Sequence, residues 1–594
     1  MSGLTWRRWN NRTGYNGRGW NNMQKTNAGT DRRAWLSNAL KTSVVGIGAG
    51  AGLLSSNATA ATRSSGTNRS TDTIVASGSK DVVETTAGKV RGYTRNGIQT
   101  FKGIPYAAPV SGKARFMPPQ KPASWAGVRS SLYYGQVCPQ GARSGWKDDE
   151  NAFMFAWDDG QPGEDCLRIN IWTPQAGGNG KRPVMFWIHG GGYSAGSGQE
   201  LKSYDGENLS RRGDVVVVSI NHRLNVFGHL NLAEFGEKYQ SSGNAGMLDI
   251  VAALEWLRDN IANFGGDPGN VMIFGQSGGG GKVNTLMAMP SAKGLFHRAG
   301  VQSGSLLRVS TMDSSAKLTS AVLAELNLGK SQVDKLENVP VERLVAAAEA
   351  ALRRVITPTG RPPDFRNLGN QIGWAPVVDG KALPTQPFDP VAPAISADIP
   401  LLVGNVLNEF VNGIGKPDCN ALSNDELKTR VAGMFGQEHA DRVIDVYRRA
   451  HPKAIPFDLL SLISASSVRG SSITQAERKA KQAAGPAYLY WFTWQTPILD
   501  GRPRAFHCSE LPFVFYNAER CETMTGGGSE ARALGAKMSD AWIHFARTGN
   551  PNHPGIPHWP VFDPENVPTM IFDNECSLKN NPDRAEREVM NSVG

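Results

Sequence analysis

The stretch that most constrains this chain is Asn270-Val-Met-Ile-Phe-Gly-Gln-Ser-Gly-Gly-Gly-Gly-Lys282. Residues 271–274 are a short apolar run of the kind carried by a strand buried on both faces. Gly275-Gln276-Ser277-Gly278-Gly279 follows as Gly-x-Ser-x-Gly, and residues 283–289 then form an apolar segment with helical character. A strand that reverses into a helix within a few residues crowds its own backbone. Glycine on both sides of the turn relieves the crowding and leaves the serine Oγ projecting at the C-terminal edge of a sheet, which is the form of a nucleophile elbow.

Two other readings compete with this one. Gly278 to Gly281 followed by Lys282 suggests a phosphate-binding loop, but Gln276 stands where that motif requires glycine and Val283 where it requires Ser or Thr. An ordinary tight turn that contains a serine fits the five residues equally well, so the decision rests on the rest of the chain.

The formal charge of +10 does not point to nucleic acid. Residues 1–60 hold Arg7, Arg8, Arg12, Arg18, Lys25, Arg32, Arg33 and Lys41 against Asp31 alone. Removing these from 63 basic and 53 acidic residues leaves 55 against 52, or +3, which sets no basic surface apart. The same segment has the order of an export leader. Arg32-Arg33 precedes a Gly/Ala-rich apolar run at 44–54 and then the small-residue site Ala58-Thr59-Ala60. Residues 1–60 are therefore expected to be a twin-arginine-type signal peptide, which gives an exported, periplasmic or secreted protein. The apolar run falls short of the roughly 18 residues that cross a bilayer, so no stable membrane anchor is expected. Gly46-x-Gly48-x-x-Ala51 resembles a dinucleotide fingerprint, but no strand precedes it.

Residues 61–80 are Ser/Thr/Gly-rich and read as a flexible linker. Residues 81–594 read as one catalytic domain. Small strands are expected over 82–95, followed by irregular surface structure over 101–107 and 116–120. Residues 183–188 and 215–220 are continuous apolar runs of strand length. Between them and the elbow, residues 247–261 carry apolar side chains at helical spacing, stopped by Gly265-Gly266. This alternation predicts an α/β fold with a large, mostly parallel central sheet covered by helices on both faces. Helical insertions are expected at about 305–370 and 420–480, with sheet pattern returning at 399–404 and 487–494.

His189-Gly190-Gly191-Gly192-Tyr193 follows the run at 183–188. Consecutive glycines let backbone N–H groups face a cleft unobstructed, as an oxyanion hole requires, and Gly278 supplies the complementary donor beside the serine. A serine nucleophile needs a base, and the base needs an orienting acid. His507 lies in a loop soon after the strand pattern at 487–494, and Glu409 lies just past 401–404. Ser277, Glu409 and His507 thus keep the chain order nucleophile, acid, base. Asp379 and Asp398 rival Glu409 on spacing, while His189 and His222 read as structural. Phe153, Phe155, Trp157, Tyr193 and Gln276 are candidates for the substrate pocket. The cysteines and histidines show no metal-ligand spacing, and neither a metal nor a cofactor is expected.

Several motifs now fall into order: Phe101-Lys-Gly-Ile-Pro-Tyr-Ala107, Glu164-Asp-Cys-Leu-Arg-Ile-Asn-Ile-Trp-Thr-Pro174, His189-Gly-Gly-Gly-Tyr193, Asn221-His-Arg-Leu224, Gly243-Asn-Ala-Gly-Met-Leu-Asp249, Gly265-Gly-Asp-Pro-Gly-Asn270, the serine elbow and Phe296-His-Arg-Ala299. Together they resemble the type B carboxylesterases, the cholinesterase-like branch of the α/β-hydrolases, from about residue 82 to 572. The leader points to a bacterial exported member. The resemblance implies a serine hydrolase acting through an acyl-enzyme on small-molecule carboxylic esters, small or aromatic; the alternatives are the same triad acting on carbamate, amide or lactone bonds, and a non-catalytic adhesion or binding protein on this fold. It implies Glu409 of Asn405-Val-Leu-Asn-Glu409 as the acid and His507 of His507-Cys-Ser-Glu510 as the base. It also implies a Cys138–Cys166 disulfide, with Cys419, Cys508, Cys521 and Cys576 unassigned. Two residues depart from the family pattern: Gln276 replaces a common Glu beside the nucleophile, and Cys508 replaces a common Gly after the histidine.

Overall fold

The apolar runs at 183–188 and 215–220 become neighbouring parallel strands, Arg182–Ile188 and Val216–Asn221, because side chains that are apolar on both faces can be buried only under helices on both sides. The computed structural model describes residues 73–141, 149–178, 180–356 and 373–593. The expected signal peptide, residues 1–60, and the linker up to residue 72 lie outside the described residues.

In chain order the strands are β1 (Val82–Thr85), β2 (Gly88–Arg91), β3 (Tyr93–Arg95), β4 (Ile98–Pro105) and β5 (Val128–Ser130). Then follow β6 (Arg168–Thr173), β7 (Arg182–Ile188), β8 (Val216–Asn221), β9 (Gly266–Gln276) and β10 (Arg298–Gln302). The last four are β11 (Leu401–Val406), β12 (Ala487–Phe492), β13 (Pro568–Phe572) and β14 (Ser577–Asn580). β1, β2 and β5 form a small sheet of their own. The 11-stranded main sheet runs β14-β13-β12-β11-β10-β9-β7-β8-β6-β4-β3. Strands β7 to β13 are mutually parallel, and antiparallel strands flank them on both sides.

One face of β7 and β9 carries Trp187 and Phe274, which are fully buried. The Trp187 ring lies 5.0 Å from Phe274 and 5.1 Å from Phe515. Each such aromatic pair adds about 0.5–1.5 kcal/mol beyond area burial. The opposite face carries Val184, Phe186 and Ile273 against the helix Ala245–Asn260. Arg223 and Asp249, from two motifs noted above, form a fully buried ion pair at 2.6 Å between the end of β8 and that helix. Helices occupy the described parts of both stretches, Met312–Glu325 and Val341–Val355 in the first and Asn424–Phe435, Gln437–Ala450 and Pro456–Ala480 in the second.

Three expectations need correction. Residues 101–107 are not irregular surface: Phe101 and Ile104 are fully buried on β4, whose pairing with β6 shifts register between them, next to Gly103 at φ 70°. The described end of the expected linker is partly pinned, since Val75 pairs with Thr94. The expected Cys138–Cys166 disulfide is not formed. Both cysteines are buried free thiols, and the neighbouring Cys138 thiol together with burial pushes Cys166 up. Cys138 Sγ also accepts the Leu224 N–H at 3.2 Å.

Candidate active site

The elbow is built where β9 runs into the helix Gly278–Ala288. Ser277 sits between them at φ 57°, ψ −126°, a strained conformation costing on the order of 1–3 kcal/mol. Neighbouring backbone crosses so closely that a Cβ on Gly279 would meet Ile188 O at 2.1 Å, and one on Gly275 would meet the same oxygen at 2.6 Å. These contacts demand glycine and hold the turn. The Ser277 N–H donates to Gln302 O at 2.8 Å, which ties the elbow to β10.

The glycine turn after β7 lies against the elbow. Gly191 and Gly192 have φ of 80° and 63°, and a Cβ on Gly278 would meet Gly192 O at 2.2 Å. The two loops expected to share an oxyanion are therefore in backbone contact. No acceptor among the described residues takes the N–H of Gly191, Gly192 or Gly278, so three donors remain for a ligand beside Ser277.

Beneath this turn lies Lys282, fully buried, whose Nζ donates to His189 O at 3.0 Å. Burial lowers its pKa from 10.5 to about 7, partly offset by Glu200. Between those two values the unfolded chain holds a proton that the folded chain has released, so this group's contribution to stability rises with pH across the window. The cost of the buried charge is fully present below pH 7. Lys282→Met removes both the charge and the bond to the glycine turn. Its melting temperature relative to the parent should be higher at pH 6 than at pH 9; an offset independent of pH would contradict this account.

Glu409 and His507 meet across two loop ends. Glu409 follows β11 and His507 follows β12, and the His507 N–H donates to Glu409 O at 2.9 Å, which aligns the two segments. His507 Nδ1 lies 2.5 Å from Glu409 Oε2, while Glu409 Oε1 accepts the Val406 N–H at 3.1 Å. Glu409 is completely buried. Of the rival acids, Asp379 is occupied in a turn, accepting from Lys381 and Leu383, and Asp398 precedes β11, at the opposite end of that strand from Glu409, where it acts on His297 and Lys479. Glu510 lies behind the pair, pushed up to about 8 by burial and by Glu409.

Ser277, His507 and the glycine turn line one cavity of about 650 Å³. Among the described residues no hydrogen bond joins Ser277 Oγ to the ring. Gln276 Nε2 lies 3.0 Å from His507 Nε2 and 3.4 Å from Nδ1.

Of the expected pocket residues, Trp157 and Gln276 line the cavity and three others do not. Tyr193 is buried behind the glycine turn, its ring edge-on to His229 at 5.4 Å, and burial raises its phenol. Phe153 is 52% exposed on the outer side of the helix Asp149–Phe155. Phe155 stacks on Trp157 at 4.9 Å and meets Phe506 edge-on, so it props the wall from behind. Sequence reasoning missed Phe410, Trp374, Val345, Ala348 and Leu352, all of which line the cavity. Phe410 directly follows Glu409, and its ring lies 4.1 Å from that of His507. Among the described residues no group of three or more His, Cys, Asp or Glu side chains could hold a metal. No helix among them is long and apolar enough to cross a membrane.

The profile described as "Carboxylesterase family" matches residues 79–590. The para-nitrobenzyl esterase of Bacillus subtilis (strain 168) is 36% identical over 512 residues, covering 86% of this chain and 98% of that protein. The phenmedipham hydrolase of Pseudarthrobacter oxydans is 31% identical over 503 residues, covering 84% and 96%. A solved esterase from anaerobic Clostridium hathewayi, described as able to hydrolyze aliphatic aromatic polyesters, shares 39% identity at a TM-score of 0.74, over 88% of this chain and 100% of that one. The chain belongs to the carboxylesterase family and is a serine hydrolase that cleaves carboxylic esters.

Proposed function

We propose that Ser277 is the nucleophile, His507 the general base and Glu409 its orienting acid, with the amides of Gly191, Gly192 and Gly278 as the oxyanion hole. Ser277 Oγ attacks the ester carbonyl carbon as its proton passes to His507 Nε2. The tetrahedral oxyanion takes hydrogen bonds from the three glycine amides, each worth about 2.7–4 kcal/mol in the transition state. The carbon–oxygen bond to the alcohol then breaks, and the proton on Nε2 goes to the departing oxygen. Water enters, gives a proton to Nε2 and attacks the acyl-enzyme carbonyl, and collapse returns that proton to Ser277. The observation that carries this reading is the 2.5 Å contact between a fully buried carboxylate and a ring that faces the elbow's cavity.

For substrate we propose esters with an aromatic group on one side of the bond. The cavity walls Trp157, Trp374, Phe410, Val345 and Leu352 offer flat and branched apolar surface. The para-nitrobenzyl esterase and the polyester-degrading esterase among its relatives support the same choice. The phenmedipham hydrolase favours aryl carbamates as the second reading, by the same attack with slower release of the carbamoyl group. A fluorophosphonate should add its phosphonyl group to Ser277, and aryl esters should be turned over faster than alkyl esters of matched acid. Labelling at another serine would refute the assignment. Carbamate turnover exceeding that of every ester would replace the first substrate reading with the second.

A further inference from the structure

The two residues that depart from the family pattern, Gln276 and Cys508, are 232 positions apart and touch each other beside the general base. Cys508 Sγ donates to Gln276 Oε1 at 3.3 Å, which leaves the other end of the amide, Nε2, directed at His507. That nitrogen lies at nearly equal distance, 3.0 and 3.4 Å, from both ring nitrogens. The lone pair of a ring nitrogen points away from the other nitrogen, so an atom near both cannot sit on either lone pair. It sits over the face of the ring. Phe410 also lies against this ring, at 4.1 Å and 33°, and the two are too close to the ring to share one face. The imidazole is thus held between an amide and an arene, with Glu409 at Nδ1 and the Nε2 edge left free.

Cys508 bears on the same point through its backbone. It has φ of 80°, a conformation in which a side chain is strained and glycine is relaxed. A thiol kept at such a position needs a use, and the amide oxygen of Gln276 supplies one.

We propose that Gln276 and Cys508 are a positioning pair for His507: the thiol fixes the amide, and the amide, opposite Phe410, fixes the plane of the imidazole so that Nε2 stays aimed at Ser277. This rests on His507 being the base. Proton transfer from serine and back to the leaving oxygen both use the same ring edge, so the pair acts on acylation and deacylation and not on ground-state binding of the ester.

The test is steady-state kinetics on an aryl ester, with rates normalised to competent sites by fluorophosphonate titration. Cys508→Gly relieves the backbone strain and removes the donor. It should melt no lower than the parent, yet lose about 3- to 10-fold in kcat, the size of one hydrogen bond, with KM within twofold. Cys508→Ser keeps a donor and should recover most of that loss. Gln276→Ala should lose at least as much kcat, and adding Cys508→Gly to it should cost nothing further, because the thiol acts only through the amide. Cys508→Gly with unchanged kcat would overturn the proposal, as would a serine variant as slow as the glycine variant or additive losses in the double variant. Glu409→Gln is measured alongside. If it leaves turnover intact, another group orients His507; if His507→Ala does so, the assignment of His507 as the base has failed, whatever the Gln276 and Cys508 variants do.

Discussion

Ser277→Ala is expected to lose ester turnover by roughly 10⁶-fold, the scale seen when a triad nucleophile is removed, while the protein still folds. Both halves follow from local geometry. Ser277 Oγ makes no hydrogen bond with the ring among the described residues, so its removal leaves no partner there unpaired. Alanine at φ 57° carries the same backbone strain as serine, and the contacts that hold the elbow run through Gly275, Gly279 and the Ser277 N–H, none of which changes. Chemistry loses more, because the remaining groups cannot form an acyl-enzyme. The amides of Gly191, Gly192 and Gly278 would still bind a developing oxyanion from direct attack by water, so a residual rate on the order of 10³–10⁴ above the uncatalysed reaction is expected. A melting curve superimposable on the parent, with colour release from a p-nitrophenyl ester cut to that residual rate and no fluorophosphonate label, is the predicted outcome. Turnover within about a hundredfold of the parent by a purified, folded sample would remove Ser277 from the mechanism.

What could be read from the sequence follows how directly each residue's local chemistry fixes its neighbours. The elbow was legible because a strand-to-helix reversal at a serine admits almost nothing but glycine around it, and the parallel strands because burial on both faces forces continuous apolar runs. The helix Ala245–Asn260 emerged within a residue or two of its expected bounds, since its buried side falls at helical spacing. Pro456–Ala480 gave no such signal. This 25-residue helix buries Ser461, Arg469, Ser471, Ser472, Gln475 and Lys479 among Phe457, Leu460, Ile463, Val468 and Ile473, so its inward side mixes polar with apolar groups and blurs the apolar period. Those groups are satisfied by long-range partners: Arg469 by Asp583, Gln475 by Asn284, and Lys479 by Ser396 O. The pocket was hardest to read, for the same reason. Tyr193 is buried by its proximity to the helix after the elbow, and Val345, Leu352 and Trp374 enter the cavity from an insertion whose placement no local pattern encodes.

Glu409→Gln should be the most damaging change that leaves the nucleophile in place, lowering kcat/KM by about 10⁴. The carboxylate accepts at both oxygens, from the Val406 N–H at 3.1 Å and from His507 Nδ1 at 2.5 Å, in a site with no exposure to solvent. An amide has one acceptor to serve both. If its oxygen keeps the Val406 N–H, its NH₂ faces Nδ1 and forces the tautomer that carries hydrogen on Nε2, a ring that cannot take the proton of Ser277. If its oxygen instead keeps Nδ1–H, its NH₂ faces the Val406 N–H, which Ser303 Oγ at 3.3 Å still accepts, and the new buried donor is left without an acceptor at a cost of about 1–3 kcal/mol. In both arrangements the negative charge that balances the imidazolium during attack is gone. Asp398→Asn should leave the rate near that of the parent, because that carboxylate lies at the other end of β11, where it acts on His297 and Lys479. Glu510→Gln should also cost far less, because Glu510 bonds Gln302 and not His507. A Glu409→Gln enzyme that keeps its rate within tenfold would mean that some other group fixes the tautomer of His507. The nearness of Glu409 to the ring would then be a packing contact, and the acid would have to be sought elsewhere around the cavity.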